Sequence, residues 1–132
     1  MTTDKVTHHK LIRKFAAIGP YLREPLSSEA KYFFDCLAVC ASAKAAPEKR
    51  EFWGWWLTLS MVDQQHFEFY YQLGFYDAAG QWQPQALPKK HEEEVVRTLR
   101  DFYDKLGPCM ESLSLSIRPS PSLGEKHLLS AA

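Results

Sequence analysis

Between His66 and Asp77 the chain alternates: Phe67, Phe69, Tyr71, Leu73 and Phe75 point one way, and His66, Glu68, Tyr70, Gln72 and Tyr76 the other. A period of two is what a half-buried antiparallel strand requires. A period near 3.6 governs two other segments. Leu11, Phe15 and Ile18 recur at i, i+4 and i+7, which predicts a helix over Thr7–Ile18, with Thr7 as its N-cap and Gly19-Pro20 as its stop. Val95, Leu99, Phe102 and Leu106 form the same kind of stripe over Lys90–Leu106, widened by Val96 and Tyr103. Glu92, Glu93 and Glu94 crowd the start of that helix and Lys105 its end, the order the helix dipole favours, and Gly107-Pro108 is placed to terminate it.

The remaining segments are less periodic. Lys31–Ala41 is apolar almost throughout, so periodicity does not separate strand from helix; its aromatic start, Tyr32-Phe33-Phe34, favours a central strand covered on both faces. Arg50–Ser60 reads as a second strand. Tyr21–Ala30 and Ser42–Lys49 read as loops and Ala78–Gln81 as a turn, while Pro84 and Pro88 keep the stretch after Trp82 irregular. Leu113, Leu115 and Ile117 alternate with serines in a last strand, and from Pro119 the chain reads as a flexible tail. This order predicts one α+β domain over residues 1–132, ordered from about 8 to 118. Its core would be a largely antiparallel sheet of about four to five strands with flanking helices.

Composition sharpens this picture at three points. Lys plus Arg and Asp plus Glu both number 16, and such a balance argues against nucleic acid as the main partner, although Lys5, Lys10, Arg13, Lys14 and Arg23 leave the first residues locally basic. Four Trp in so short a chain exceed what packing usually needs, which points to aromatic surface kept for a partner. Asp35, Lys44 and Glu51 interrupt every apolar stretch that could span a bilayer, and the first ten residues lack the apolar stretch of a signal peptide. With three Cys and no disulfide pattern, a reducing cytoplasm is the expected compartment.

Candidate chemistry is sparse. On a strand, Cys36 and Cys40 would share a face yet stand roughly 13 Å apart, too far to bond or to share one metal ion, so both are expected to be buried and inert. His8 and His9 diverge on a helix, and Glu92–Glu94 are explained by a helix start. No G-x-S-x-G, P-loop, G-x-G-x-x-G or H-E-x-x-H occurs. The expectation is therefore no catalytic residue, metal site or cofactor. The run Arg50-Glu51-Phe52-Trp53-Gly54-Trp55-Trp56 stands apart. Strict alternation would set Phe52 and Trp56 on one face and Trp53 and Trp55 on the other. A bulge at Gly54 would instead bring Phe52 and Trp55 to one side, exposed beside Arg50, and leave Trp53 and Trp56 to the core. An aromatic-plus-Arg patch of this kind is typical of binding hot spots.

This run and its neighbours resemble the Crl family of bacterial sigma factor-binding proteins. The resembling stretches are KLIRKF and GPYLRE within Lys10–Glu24, YFFDCLAVC at Tyr32–Cys40, APEKREFWGWW at Ala46–Trp56, YQLGFYDAAGQW at Tyr71–Trp82 and TLRDFYDKL at Thr98–Leu106. The resemblance implies a transcriptional activator of the stationary-phase stress response that binds sigma S at its domain 2 and promotes its joining core RNA polymerase. It further implies contact with the beta-prime subunit in the holoenzyme, and neither catalysis nor sequence-specific DNA binding. By the resemblance, Tyr21, Arg23, Arg50, Phe52, Trp55 and Trp82 bind the sigma factor, and Thr98–Arg118 is needed for activity. A monomer without membrane attachment is expected. The residues alone leave open a general protein-interaction or small-ligand domain with an aromatic pocket.

Overall fold

A computed structural model of the chain describes residues 7–41 and 46–123. In order these form α1 (His8–Ala17), β1 (Lys31–Cys40), β2 (Phe52–Met61), β3 (His66–Tyr76), β4 (Trp82–Pro84), α2 (Lys89–Ser112) and β5 (Ser116–Pro119), with short 3₁₀ turns between and after them. β1, β2 and β3 form an antiparallel meander. The far edge of β3 carries two short strands end to end: β4 runs antiparallel at Gly74–Tyr76, and β5 runs parallel at His66–Phe69. The architecture is α+β with a largely antiparallel sheet, as the residue pattern predicts.

Both helices lie on one face of this sheet. Thr7 caps α1 by accepting from the Lys10 N–H, and Leu11 and Phe15 turn inward. Phe15 meets Tyr32 and Phe34 edge-on, with ring centroids 5.2 and 5.3 Å apart. The predicted stripe of α2 (Val95, Leu99, Phe102, Leu106) is fully buried. Opposite it, register sets Tyr32, Phe34, Trp55, Leu57, Leu59, Phe67, Phe69 and Tyr71 on the covered side, all of them buried.

The structure departs from the sequence reading at several places. Trp82–Pro84, expected to open an irregular stretch, pair with β3 as β4, and the last strand begins at Ser116 rather than with Leu113 and Leu115, which lie buried in the turn after α2. α2 does not stop at Gly107-Pro108 but runs on to Ser112. An interior Pro costs a helix roughly 3 kcal/mol. Continuing the turn, however, carries Met110 and Leu113 into the core, where each buried side chain returns about 1.5–3 kcal/mol. Lys105 is consequently not in the last turn, and its ammonium lies over the Tyr21 ring at 5.7 Å from the centroid. β1 is an edge strand rather than a central one, and part of its edge is closed by the segment before it. Leu22 bridges Phe34, the Arg23 N–H donates to the Phe33 carbonyl at 2.8 Å, and the Asp35 N–H donates to the Tyr21 carbonyl at 3.0 Å.

The register shift lies in β1, between Leu37 and Val39, and not in β2 at Gly54. Ala38 is the extra residue, so Cys36 opposes Trp55 while Cys40 opposes Phe52. The two cysteines therefore do not share a face, and Cys40 is exposed. Finally, order extends past Arg118. Pro119 ends β5, and Pro121–Leu123 form a 3₁₀ turn whose Leu123 packs on the core. The rest of the expected tail, 124–132, and part of the Ser42–Lys49 loop, 42–45, lie outside the described residues.

Candidate partner-docking face

The side of the sheet opposite the helices is aromatic, and no described helix covers it. Register and alternation bring Phe33, Phe52, Trp56, Tyr70, Tyr76 and Trp82 to it, each partly exposed. Two glycines flatten its centre. A Cβ on Gly54 would collide with the Cys36 carbonyl oxygen and stand 3.1 Å from the Trp82 ring; one on Gly74 would collide with the Gln83 carbonyl and stand 2.9 Å from the Trp56 ring. With hydrogen in those places, the two indoles rest on backbone, their centroids 4.8 Å apart, and Tyr76 meets Trp82 edge-on at 5.1 Å.

The turn before Trp82 is tightly held. The Asp77 carboxylate accepts from the Ala79 and Gln81 N–H groups, both at 3.0 Å, and from the Gln83 side-chain amide at 3.1 Å. These bonds, that from the Gln81 backbone foremost, hold its carboxyl below the usual range. Gly80, at φ +80, supplies the left-handed step that the turn needs. Trp82 is thus delivered beside β3 by a hydrogen-bonded hairpin.

Beneath the aromatics lies Asp35, 5% exposed. One of its oxygens accepts from the Arg23 guanidinium Nε at 2.5 Å and the other from the Trp82 indole N–H at 3.2 Å. Arg50, exposed, enters the head of β2 two residues before Phe52. The face thus presents aromatic rings bordered by the Arg23 guanidinium, and among the described residues no cluster of His, Cys, Asp or Glu is arranged to hold a metal ion.

Comparison with known proteins decides the family. The family model described as "Sigma factor-binding transcriptional regulator Crl" matches residues 1–127. The chain belongs to the Crl family. A protein of Photobacterium profundum named sigma factor-binding protein Crl is 49% identical over 134 residues, covering 99% of this chain and 100% of that one. Proteins of the same name from Vibrio vulnificus and Vibrio cholerae serotype O1 are each 45% identical, over 83% and 79% of this chain and 84% and 80% of theirs.

Within this Crl-family fold, the residues expected at the docking site divide between the two sides of the sheet. Phe52 and Trp82 lie on the open face, and Arg23 reaches it through Asp35. Tyr21 is half-buried and stacks on Trp55, centroids 5.8 Å apart. Trp55 itself corrects the expectation. It is fully buried on the helix side, its indole N–H donating to the Thr98 hydroxyl at 3.0 Å and its ring against Phe102 at 5.0 Å. With the register shift in β1, β2 alternates strictly, so Trp55 and Phe52 point to opposite sides. Trp56, expected in the core, lies on the open face, while Trp53 packs on Phe75 at the covered side, centroids 4.7 Å apart.

Sequence reasoning missed Asp35, Trp56 and Tyr76. The signal for the first was available: an acidic residue inside a run as apolar as YFFDCLAVC needs a buried partner. A hollow of about 540 Å³ opens elsewhere, lined by Thr7, His8, Leu11, Glu29, Ala30, Tyr32 and Met61, and shares no residue with the aromatic cluster.

Proposed function

We propose that this chain is a transcriptional activator that binds the stationary-phase sigma factor, sigma S, at its domain 2 and favours its joining core RNA polymerase. The observation that carries the reading is the open aromatic face bordered by Arg23, in a chain whose relatives are named for binding sigma factors. Aromatic rings and Arg are the residue types that dominate interface energetics. Guanidinium groups match carboxylates of an acidic sigma segment bidentately. Phe52 and Trp82 supply the desolvated centre and Arg23 its charged border, with Arg50 near the head of β2, while Tyr21 and Trp55, packed together on the helix side, support the sheet from behind.

The action is coupling rather than catalysis. A helper that binds the sigma–core complex better than free sigma raises the affinity of sigma for core by the same factor. Contact with the beta-prime subunit would supply that preference. The protein acts in the cytoplasm as a one-domain monomer, without metal, cofactor or promoter reading of its own. Isothermal titration against sigma S domain 2 tests the reading. A one-to-one complex is expected, weakened by Phe52→Ala with little change in melting temperature and by Trp82→Ala with the fold retained. Absence of binding to domain 2 and to whole sigma S alike would overturn it.

A further inference from the structure

Asp35 is the one charged side chain buried among the described residues. Its environment is not an accident of packing, because its two oxygens serve two different parts of the docking face. Arg23 comes from the segment before β1, 12 residues away in sequence, and Trp82 from β4, 47 residues away. The carboxylate is what joins them.

We propose that Asp35 is a positioning residue for partner binding: it holds Arg23 and Trp82 in one arrangement before a partner arrives. The inference rests on the reading of the open face as the sigma-binding surface. Three features carry it. The Asp35 side chain is 6% exposed and that of Arg23 is 41% exposed, so a partner reaches the arginine but not the carboxylate. Two N–H donors require two acceptor oxygens, which a carboxylate provides; an asparagine would offer one oxygen and set an N–H₂ against the second donor. The bond to Trp82 turns the indole N–H inward, so the ring is oriented by a charge-assisted hydrogen bond, the stronger for its shielding from water. A buried ion pair is a poor device for stability alone, since apolar replacements often do as well. Its gain here is preorganisation: an Arg and a Trp already fixed lose less freedom on binding.

Releasing both side chains should weaken sigma binding roughly tenfold, the size expected for ordering two large side chains at the moment of association. The test uses the full chain with sigma S domain 2 and a double-mutant cycle of Asp35→Asn with Arg23→Ala. If Asp35 acts through Arg23, part of the Asp35→Asn penalty disappears once Arg23 is already gone. Additive penalties, or wild-type affinity in Asp35→Asn, overturn the proposal. Trp82→Phe keeps a ring and removes the N–H, so it should also cost affinity; this variant leaves Asp35 intact and carries the binding test if Asp35→Asn does not fold, with wild-type affinity again counting against the proposal. A second arm needs no partner. In the free protein the Trp82 indole N–H resonance, assigned by its loss in Trp82→Phe, should be protected from solvent exchange. It should be less protected and shifted in Asp35→Asn, and an unprotected indole in the wild type would overturn the positioning role. Failure of wild-type protein to bind sigma would sink the docking reading, while the indole arm still reports whether Asp35 holds Trp82.

Discussion

Trp55 and Trp56 are neighbours in β2 with opposite surroundings. Trp55 is sealed between the sheet and α2, its nitrogen bonded to Thr98, its ring enclosed by Phe102 and Tyr21. Trp56, on the other side, lies partly exposed against Trp82, over a glycine that makes room for it. The helix-covered face is built from Leu and Phe interlocking with two helices; the open face is built from large rings laid flat on backbone. The first arrangement supports the fold and the second leaves rings free to meet something else. An aromatic residue is thus not assigned to core or surface by its type, and in this strand one step along the chain decides it.

Substitutions on either side should break that comparison or sharpen it. The largest effect belongs to Trp55→Ala, which empties the centre of the covered face and should cost roughly 3–5 kcal/mol by denaturant unfolding. Trp56→Ala should cost clearly less, and equal losses would erase the distinction between the faces. Gly54→Ala comes next. Its methyl group would strike the Cys36 carbonyl, so β1 or Trp82 must move, at about 1–3 kcal/mol of stability and with a changed Trp fluorescence. Arg50→Ala tests the exposed residue just before β2: sigma S domain 2 affinity should fall about tenfold, near 1.4 kcal/mol, with little change of melting temperature in a thermal melt.

The smallest effect is chemical. Cys36 lies on the covered side, and burial pushes its thiol above the ordinary value, whereas Cys40 is exposed. The thiolate is the reactive form, so at neutral pH iodoacetamide should modify Cys40 well before Cys36, as peptide mass mapping would show. The labelling rate of Cys36 should keep rising with pH beyond the range of an unperturbed thiol.

Much of this was legible in the residues, for physical reasons that differ by element. β3 was readable because its two sides meet different environments, so its alternation is clean. The apolar stripe of α2 was readable because one face of it meets the sheet. Its end was not, because local chemistry at Gly107-Pro108 argued for a stop and the distant burial of Met110 overrode it. β1 misled because both its sides are partly covered, one by helices and the other by rings, which resembles a central strand. β4 is three residues long and has no periodicity to read. In the site, Arg23, Phe52 and Trp82 came from the resemblance and reach the open face. Trp55 was misplaced because Gly54 suggested a bulge in β2, when its actual role is to let the β1 backbone and Trp82 approach.

The parallel pairing of β5 with β3 has a consequence for how the chain folds. A hairpin can zip from its turn, but β5 meets His66–Phe69 only after the chain has passed through β4 and the whole of α2. Its closure therefore depends on the contacts of highest sequence separation along β3, and such contacts form slowly. Until they form, the backbone groups of that edge stay open to pairing with the same edge of another molecule. Refolding at rising protein concentration should show a competing association phase, and chains ending before Ser116 should retain the β1–β3 meander yet aggregate through the bare end of β3.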